Sequence, residues 1–388
     1  MKTAKASALF FDANGDGFPD LYVVTGGSEL PDGDRALADH LYINDGKGRF
    51  KEASLPTLLI NKSCVAAADI NGDGATDLFI GGGAQAGHFG ARPTPSYILI
   101  NDGHGSFHQT LLFNENGMPA TAAFADLDGD GTPDLVVAGE WMNVKIFTNH
   151  AGALLEHKPA GPKGLWQTIT ITDVNGDGHP DILAGNWGLN TKLAAGKDGP
   201  LNCYVKDLDG NGTTEQLLTC FIAGEEYPFL GKDQLELALP YLKKSHLHYG
   251  EVAGKNLRYL FGNQLDDARV LHVDTLASLC LFNNGHGSFT PQALPMQLQL
   301  SPIFSFLPLP ANHPSQWLAL GNFYGVQPYE GRYDAANPTL FTFDGSFHTL
   351  GPLTHQSGEW RDAKLLANPS HPLIVLARNN DSLLSLAR

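Results

Sequence analysis

The sequence predicts an all-β chain: a seven-bladed β-propeller of four-stranded antiparallel blades, spanning residues 1–388 as one domain, with eight blades as the alternative count. Three observations carry this. An acidic nine-residue pattern recurs, apolar runs of strand length flank it, and a second turn element follows it.

The acidic pattern is D-x-[DN]-x-[DN]-G-x-x-[DE]. It occupies Asp12–Asp20, Asp69–Asp77, Asp126–Asp134, Asp173–Asp181 and Asp207–Glu215, and the first residues of successive copies lie 57, 57, 47 and 34 positions apart. Short β-type runs flank four of the copies, such as Ala8-Leu9-Phe10-Phe11 before the first and Leu21-Tyr22-Val23-Val24 after it. The second element is Asn44-Asp45-Gly46, Asn101-Asp102-Gly103 and Asn283-Asn284-Gly285, with Asn149-His150-Ala151-Gly152 as a decayed copy. Asp-Gly and Asn-Gly between apolar runs mark hairpins, because tight primed turns need positive φ.

Each unit of roughly 50 residues therefore reads as four antiparallel strands, the size of one blade. The units start near residues 8, 64, 121, 167, 226, 300 and 359. The last is one strand short, and N-terminal residues are expected to complete it. Residues 232–250 break the period, and Leu235, Leu237, Leu239 and Leu242 with Lys243-Lys244 predict a short helical insertion.

Composition narrows the function. Glycine at 44, proline at 24 and 42% hydrophobic residues fit a turn-rich packed chain and exclude disorder. A formal charge of −16 repels nucleic acid and anionic lipid, leaving cations as the natural counterpart. No stretch reaches the roughly 20 apolar residues of a membrane-spanning helix. Four cysteines without C-x-x-C spacing exclude a thiolate zinc site; Cys203 and Cys220 flank the fifth loop, either as a bridge or as buried thiols. The first residues hold no stretch of signal-peptide length, so either a leader has been removed or the chain is an excised piece.

Calcium takes six to eight oxygens, and a loop with side-chain oxygens at alternate positions can wrap one ion. The expected ligands are Asp12, Asn14, Asp16, the Phe18 carbonyl and Asp20 in the first loop, then Asp69, Asn71, Asp73, Ala75 and Asp77 in the second. The third offers Asp126, Asp128, Asp130, Thr132 and Asp134, and the fourth Asp173, Asn175, Asp177, His179 and Asp181. The fifth offers Asp207, Asp209, Asn211, Thr213 and Glu215. An EF-hand would place a bidentate glutamate at position twelve, where the first three loops have Val23, Ile80 and Val137. Without cations the grouped carboxylates would repel one another, so four to five Ca²⁺ ions are expected as structural ligands.

These loops resemble the FG-GAP or VCBS-type repeats of integrin α-subunit propellers and of cartilage-acidic-protein-like bacterial proteins, from residue 8 to about residue 220. The whole resembles the C-terminal part of large secreted VCBS-repeat proteins. That resemblance implies a seven-bladed propeller, calcium on the blade loops and export, and it implies no particular partner.

Enzyme signatures are missing: there is no G-x-S-x-G elbow, H-E-x-x-H, Walker loop or dinucleotide fingerprint. The expectation is an extracellular, cell-surface or periplasmic module, monomeric as a domain, that binds or scaffolds a protein or carbohydrate. The alternative is a polysaccharide lyase or glycoside hydrolase, which needs a central pocket with a base and an Arg or Lys. Trp141, Trp187, Tyr324, Tyr329, Tyr333 and Trp360, with Arg332, Arg361 and Arg378, form a candidate ligand platform or the packing between blades. Glu140, Glu225, Glu226, Glu251, Glu330 and Glu359 read as solvated or turn residues.

Overall fold

Short runs rich in β-branched and aromatic residues, cut by Gly-containing turns, pair with their sequence neighbours, so the chain folds into antiparallel sheets. The computed structural model describes residues 4–87, 92–114, 117–285, 287–310, 315–326, 331–366 and 372–387. Among them lie seven sheets.

The first contains Ala4–Phe11, Asp20–Gly26, His40–Asn44 and Phe50–Ala53 in that order, and the second Lys62–Ala68, Asp77–Gly82, Ser96–Asn101 and Phe107–Phe113. The third is built on Met118–Ala125, Asp134–Met142, Lys145–His150 and Ala153–Glu156, with the short Gly164–Leu165 added to Asp134–Met142. The fourth pairs Thr168–Thr172, Asp181–Gly185, Leu279–Asn283 and Phe289–Ala293. The fifth holds Ile303–Leu309, Gln316–Gly321, Thr339–Phe343 and Phe347–Pro352, and the sixth Trp360–Leu366, Leu373–Arg378 and Leu384–Ala387. The first strand of each of these six sheets packs on the first strand of the next. Their shared faces bury the apolar clusters, for example Tyr22, Val24 and Leu41 against Leu78, Ile80 and Leu99.

The seventh sheet is an insertion, and it corrects two expectations. Its order is Glu225–Pro228, Glu215–Ile222, Leu201–Lys206, Arg269–Val273, and it lies between the second and third strands of the fourth sheet. The unit drawn from residue 226 is therefore no unit, because Glu226 sits in an outer strand of the insertion. The helical segment is present and longer than expected, with Lys232–Ala238, Leu242–Ser245 and Leu257–Phe261 packed on Leu217 of the inserted sheet. One face of that sheet, with Leu201, Cys203, Val205, Leu271 and Val273, covers Ala84, Met118, Trp141 and Leu165. All four cysteines are free thiols.

The sixth sheet has three strands, and the N-terminal strand does not complete it: Ala4–Phe11 pairs with Asp20–Gly26 instead. The first sheet also shows what a missing neighbour does. Phe10 and Phe124 occupy the same position, two residues before the acidic loop. Phe124 packs into the cluster of Phe79, Leu135 and Phe147. Phe10 is 61% exposed, since no other sheet among the described residues covers that face.

A buried lysine closes the other end of the first two sheets. Lys62, 1% exposed, donates through Nζ to the carbonyls of Leu37 (2.7 Å), Leu58 (2.7 Å) and Ile60 (2.9 Å). Its counter-charge is Asp39, 3.4 Å away, which also accepts from the Thr25 N–H and the Tyr22 hydroxyl. Burial pushes the Asp39 carboxyl up, and the Lys62 ammonium opposes the shift.

Candidate metal centres

Each acidic loop joins two strands, and its glycines make the turn possible. Residues four and six are glycine in all five copies, and all ten have positive φ, from 74° at Gly15 to 87° at Gly74. Their N–H groups point inward to the first aspartate. In the first loop Asp12 accepts from Gly15 (2.8 Å) and Gly17 (2.8 Å); Asp69, Asp126, Asp173 and Asp207 repeat the arrangement.

Residues three and five bond to each other, through Asn14 to Asp16 at 3.0 Å, Asn71 to Asp73 at 2.8 Å and Asn175 to Asp177 at 2.8 Å. Residue seven donates its N–H to residue five: Phe18 to Asp16, Ala75 to Asp73, Thr132 to Asp130, His179 to Asp177 and Thr213 to Asn211. These bonds hold the Asp130 and Asp177 carboxyls below the usual range, with the Thr132 hydroxyl the largest cause at Asp130.

The ninth residue behaves differently. Asp20, Asp77, Asp134 and Asp181 are fully buried at 0% exposure. In each, one oxygen accepts the N–H of loop residue two (Ala13, Ile70, Leu127, Val174) and the other accepts from an asparagine at the end of the third strand. Burial raises the carboxyls of Asp77, Asp134 and Asp181, the two N–H bonds pull them back, and the neighbouring loop aspartates raise them further.

The donor set suits a hard divalent ion. In the third loop one oxygen from each of Asp126, Asp128 and Asp130 lies within 4.8 Å of the others, and in the fifth Asp207, Asp209 and Glu215 do the same. The longer Glu215 reaches the group that Asp134 does not join, while its other oxygen accepts the Leu208 N–H at 2.7 Å. The first and second loops line one cleft, with Asp12, Gly15, Asp73 and Asn101 on its walls.

The platform residues divide. Trp141 and Trp360 are buried at 7% and 0% and are packing residues. Trp141 holds φ at 62°, a strained value for a bulky side chain, where the inserted sheet covers it. Trp187, Phe323 and Tyr333 meet at ring distances of 5.2 and 5.5 Å. Arg361 lies 3.9 Å from the Phe304 ring centre and Arg332 4.7 Å from that of Tyr324. Tyr329 and Glu330 lie outside the described residues.

Glu359 is not solvated as expected. It is 7% exposed, pairs with Arg361, and accepts from the Tyr324 N–H (3.1 Å) and Asn379 Nδ2 (2.8 Å). Glu226 is similarly held by Asn202, Tyr204 and Thr219. Glu140 is partly buried, and burial pushes its carboxyl up against a single opposing hydrogen bond from Gln167.

Comparison with known proteins gives one family. No curated protein sequence matches the chain. Among solved structures, the biofilm matrix protein Bap1 of V. cholerae aligns at 11% identity and a TM-score of 0.39, over 96% of this chain and 74% of that one. A chain of a RAG complex with one melted and one unmelted RSS aligns at 10% identity and a TM-score of 0.33, over 100% and 96%. Both scores are too low to carry an argument about fold or function. The FG-GAP-like repeat model matches residues 12–80, 89–137 and 126–184, the part of the chain that holds the first four acidic loops.

Proposed function

We propose that the chain is a calcium-stabilised β-propeller that serves outside the cytoplasm as a binding or scaffold module for a protein or glycan. The observation that carries this reading is the repetition of one loop geometry at the same end of four successive sheets, with the first aspartate of each loop held by the N–H groups of its two glycines. Five divalent cations would carry ten positive charges against a formal −16.

In such a loop the oxygens of residues one, three and five, the carbonyl of residue seven and, in the fifth loop, Glu215 would hold Ca²⁺. The ion would supply charge compensation and fix the strand-to-strand turn. Calcium affinities of extracellular modules, about 10⁻⁴ to 10⁻³ M, match an outside calcium supply. Trp187 and Phe323, half-buried in the loops after Asp181–Gly185 and Gln316–Gly321 and backed by the buried Tyr333, offer aromatic edges to a ligand beside the Arg361 guanidinium.

Metal analysis with calcium titration of the chelator-treated chain tests the reading. Four to five bound ions and a rise in the unfolding temperature are expected; no bound ion and no shift would remove it. A glycan and peptide binding screen with Trp187→Ala as the control then tests the ligand face, and turnover of a glycan in that screen would replace binding by catalysis.

A further inference from the structure

The hydrogen bonds of the ninth loop residue continue from one sheet to the next. The third strands of the first, second and fourth sheets end in Asn44, Asn101 and Asn283, and that of the third sheet has Asn149 one residue before its end. Each donates its N–H to the ninth aspartate of its own sheet, at 2.7, 2.8, 2.9 and 2.8 Å. Each side-chain oxygen accepts from the glycine of the following turn, at 3.1, 3.1, 2.9 and 3.0 Å, which fixes the amide orientation.

In three of them Nδ2 crosses to the preceding sheet. Asn101 donates to the Ala13 carbonyl (2.9 Å), Asn149 to Ile70 (2.8 Å) and Asn283 to Leu127 (2.8 Å). Those acceptors are residue two of the preceding loop, whose N–H is bound to that loop's own ninth aspartate. The bonds form one series: Asp20, the Ala13 peptide, Asn101, Asp77, the Ile70 peptide, Asn149, Asp134, the Leu127 peptide, Asn283, Asp181. The three asparagines are 1–2% exposed. Asn283 keeps the geometry although 102 positions separate it from Asp181.

We propose that Asn101, Asn149 and Asn283 couple the first four loops, so that a cation entering one loop raises the affinity of its neighbours. The inference rests on the calcium reading above. Residue two lies between two ligand positions, so a bound ion fixes the peptide whose carbonyl holds the next sheet's asparagine. That asparagine in turn holds the ninth aspartate of the next loop. The ordering cost met by the first ion is not met again by the second, which is positive coupling in its thermodynamic sense. The fifth loop is the internal control: its Leu208–Glu215 pair sits in the inserted sheet, which has no asparagine at the corresponding strand end.

The test is isothermal titration of the chelator-treated full chain with calcium, with the number of ions read from the same isotherm. The wild-type chain is expected to fill four sites sigmoidally and the fifth separately, with each link changing its neighbour's affinity about five- to tenfold. Asn149→Ala should keep the ion count but flatten the sigmoid, separating the first two loops from the next two. Asn44→Ala, which breaks no bond between sheets, should leave the curve unchanged. If Asn149→Ala does not fold in excess calcium, Asn101→Ala gives the same test nearer the end of the series. Four or five ions bound without sigmoidicity, or a curve that Asn149→Ala leaves intact, overturns the coupling and spares the calcium reading. No bound ions overturns both.

Discussion

The first four sheets and the last two reach similar antiparallel pairings by different means. In the first four, the turn between the first and second strands is a polar loop with a buried aspartate tied to the third strand, and in the first three the loop is also tied to the next sheet. The fifth and sixth sheets lack the acidic pattern and rely on aromatic packing: Phe306, Trp317, Phe341, Phe343 and Phe347 against Phe282, and Trp360 among leucines. The difference teaches that a strand turn can be fixed by a local network of polar bonds, or the whole sheet by apolar burial, with separate sensitivities.

Calcium removal should have the largest effect and fall on one region. Millimolar calcium is about 1–10 times the Kd of an extracellular module and contributes about 0.4–1.4 kcal/mol per site, so chelation should destabilise the loop-bearing sheets and lower their unfolding temperature. Calorimetry in chelator and in millimolar calcium measures it. Trp317→Ala should cost about 3–5 kcal/mol in the other region, and by the same amount with or without calcium. A calcium-dependent penalty would show that the two regions are not independent.

Lys62→Met tests whether a buried lysine holds the other end of the first region by charge. It leaves Asp39 buried and unpaired and should cost about 3–5 kcal/mol by denaturant unfolding. Phe124→Ala should cost about 3 kcal/mol and Phe10→Ala under about 1, because only the first has a covered face. Equal costs would mean that Phe10 is covered in solution.

The smallest effect concerns Glu140. Its folded carboxyl is raised by burial, so its stabilising contribution is complete below the unfolded value, at pH about 4, and is lost as pH rises through the folded value. Glu140→Gln should therefore stabilise at pH 7–8 and have no effect at pH 4. Thermal unfolding across that range reads it.

The repeat was legible because both its parts are local. Aspartates at alternate positions and glycines at positive φ leave a mark in nine consecutive residues, and Asn-Asp-Gly leaves one in three. The first strands accordingly begin within a few residues of the expected starts for six units. The insertion was not legible, because the fifth loop carries the same local mark while its strands pair elsewhere. Leu279–Asn283 returns to Asp181–Gly185 after nearly a hundred residues, and only the orphaned hairpin at Asn283-Asn284-Gly285 hinted at it. The asparagines were visible as turn residues, but their bonds across sheets depend on packing. Burial of Lys62 and Glu359 depends on it too, since both carry charges that normally face water.

The central claim is that calcium holds the acidic loops and that the aromatic sheets do without it. Hydrogen exchange followed by mass spectrometry, on the full chain with chelator and with millimolar calcium, tests it most directly. Slower exchange on calcium addition is expected for peptides spanning Asp69–Asp77, Asp126–Asp134 and Asp173–Asp181, with no change in Ile303–Leu309 and Gln316–Gly321. Equal change in both regions, or none in the loops, would contradict it.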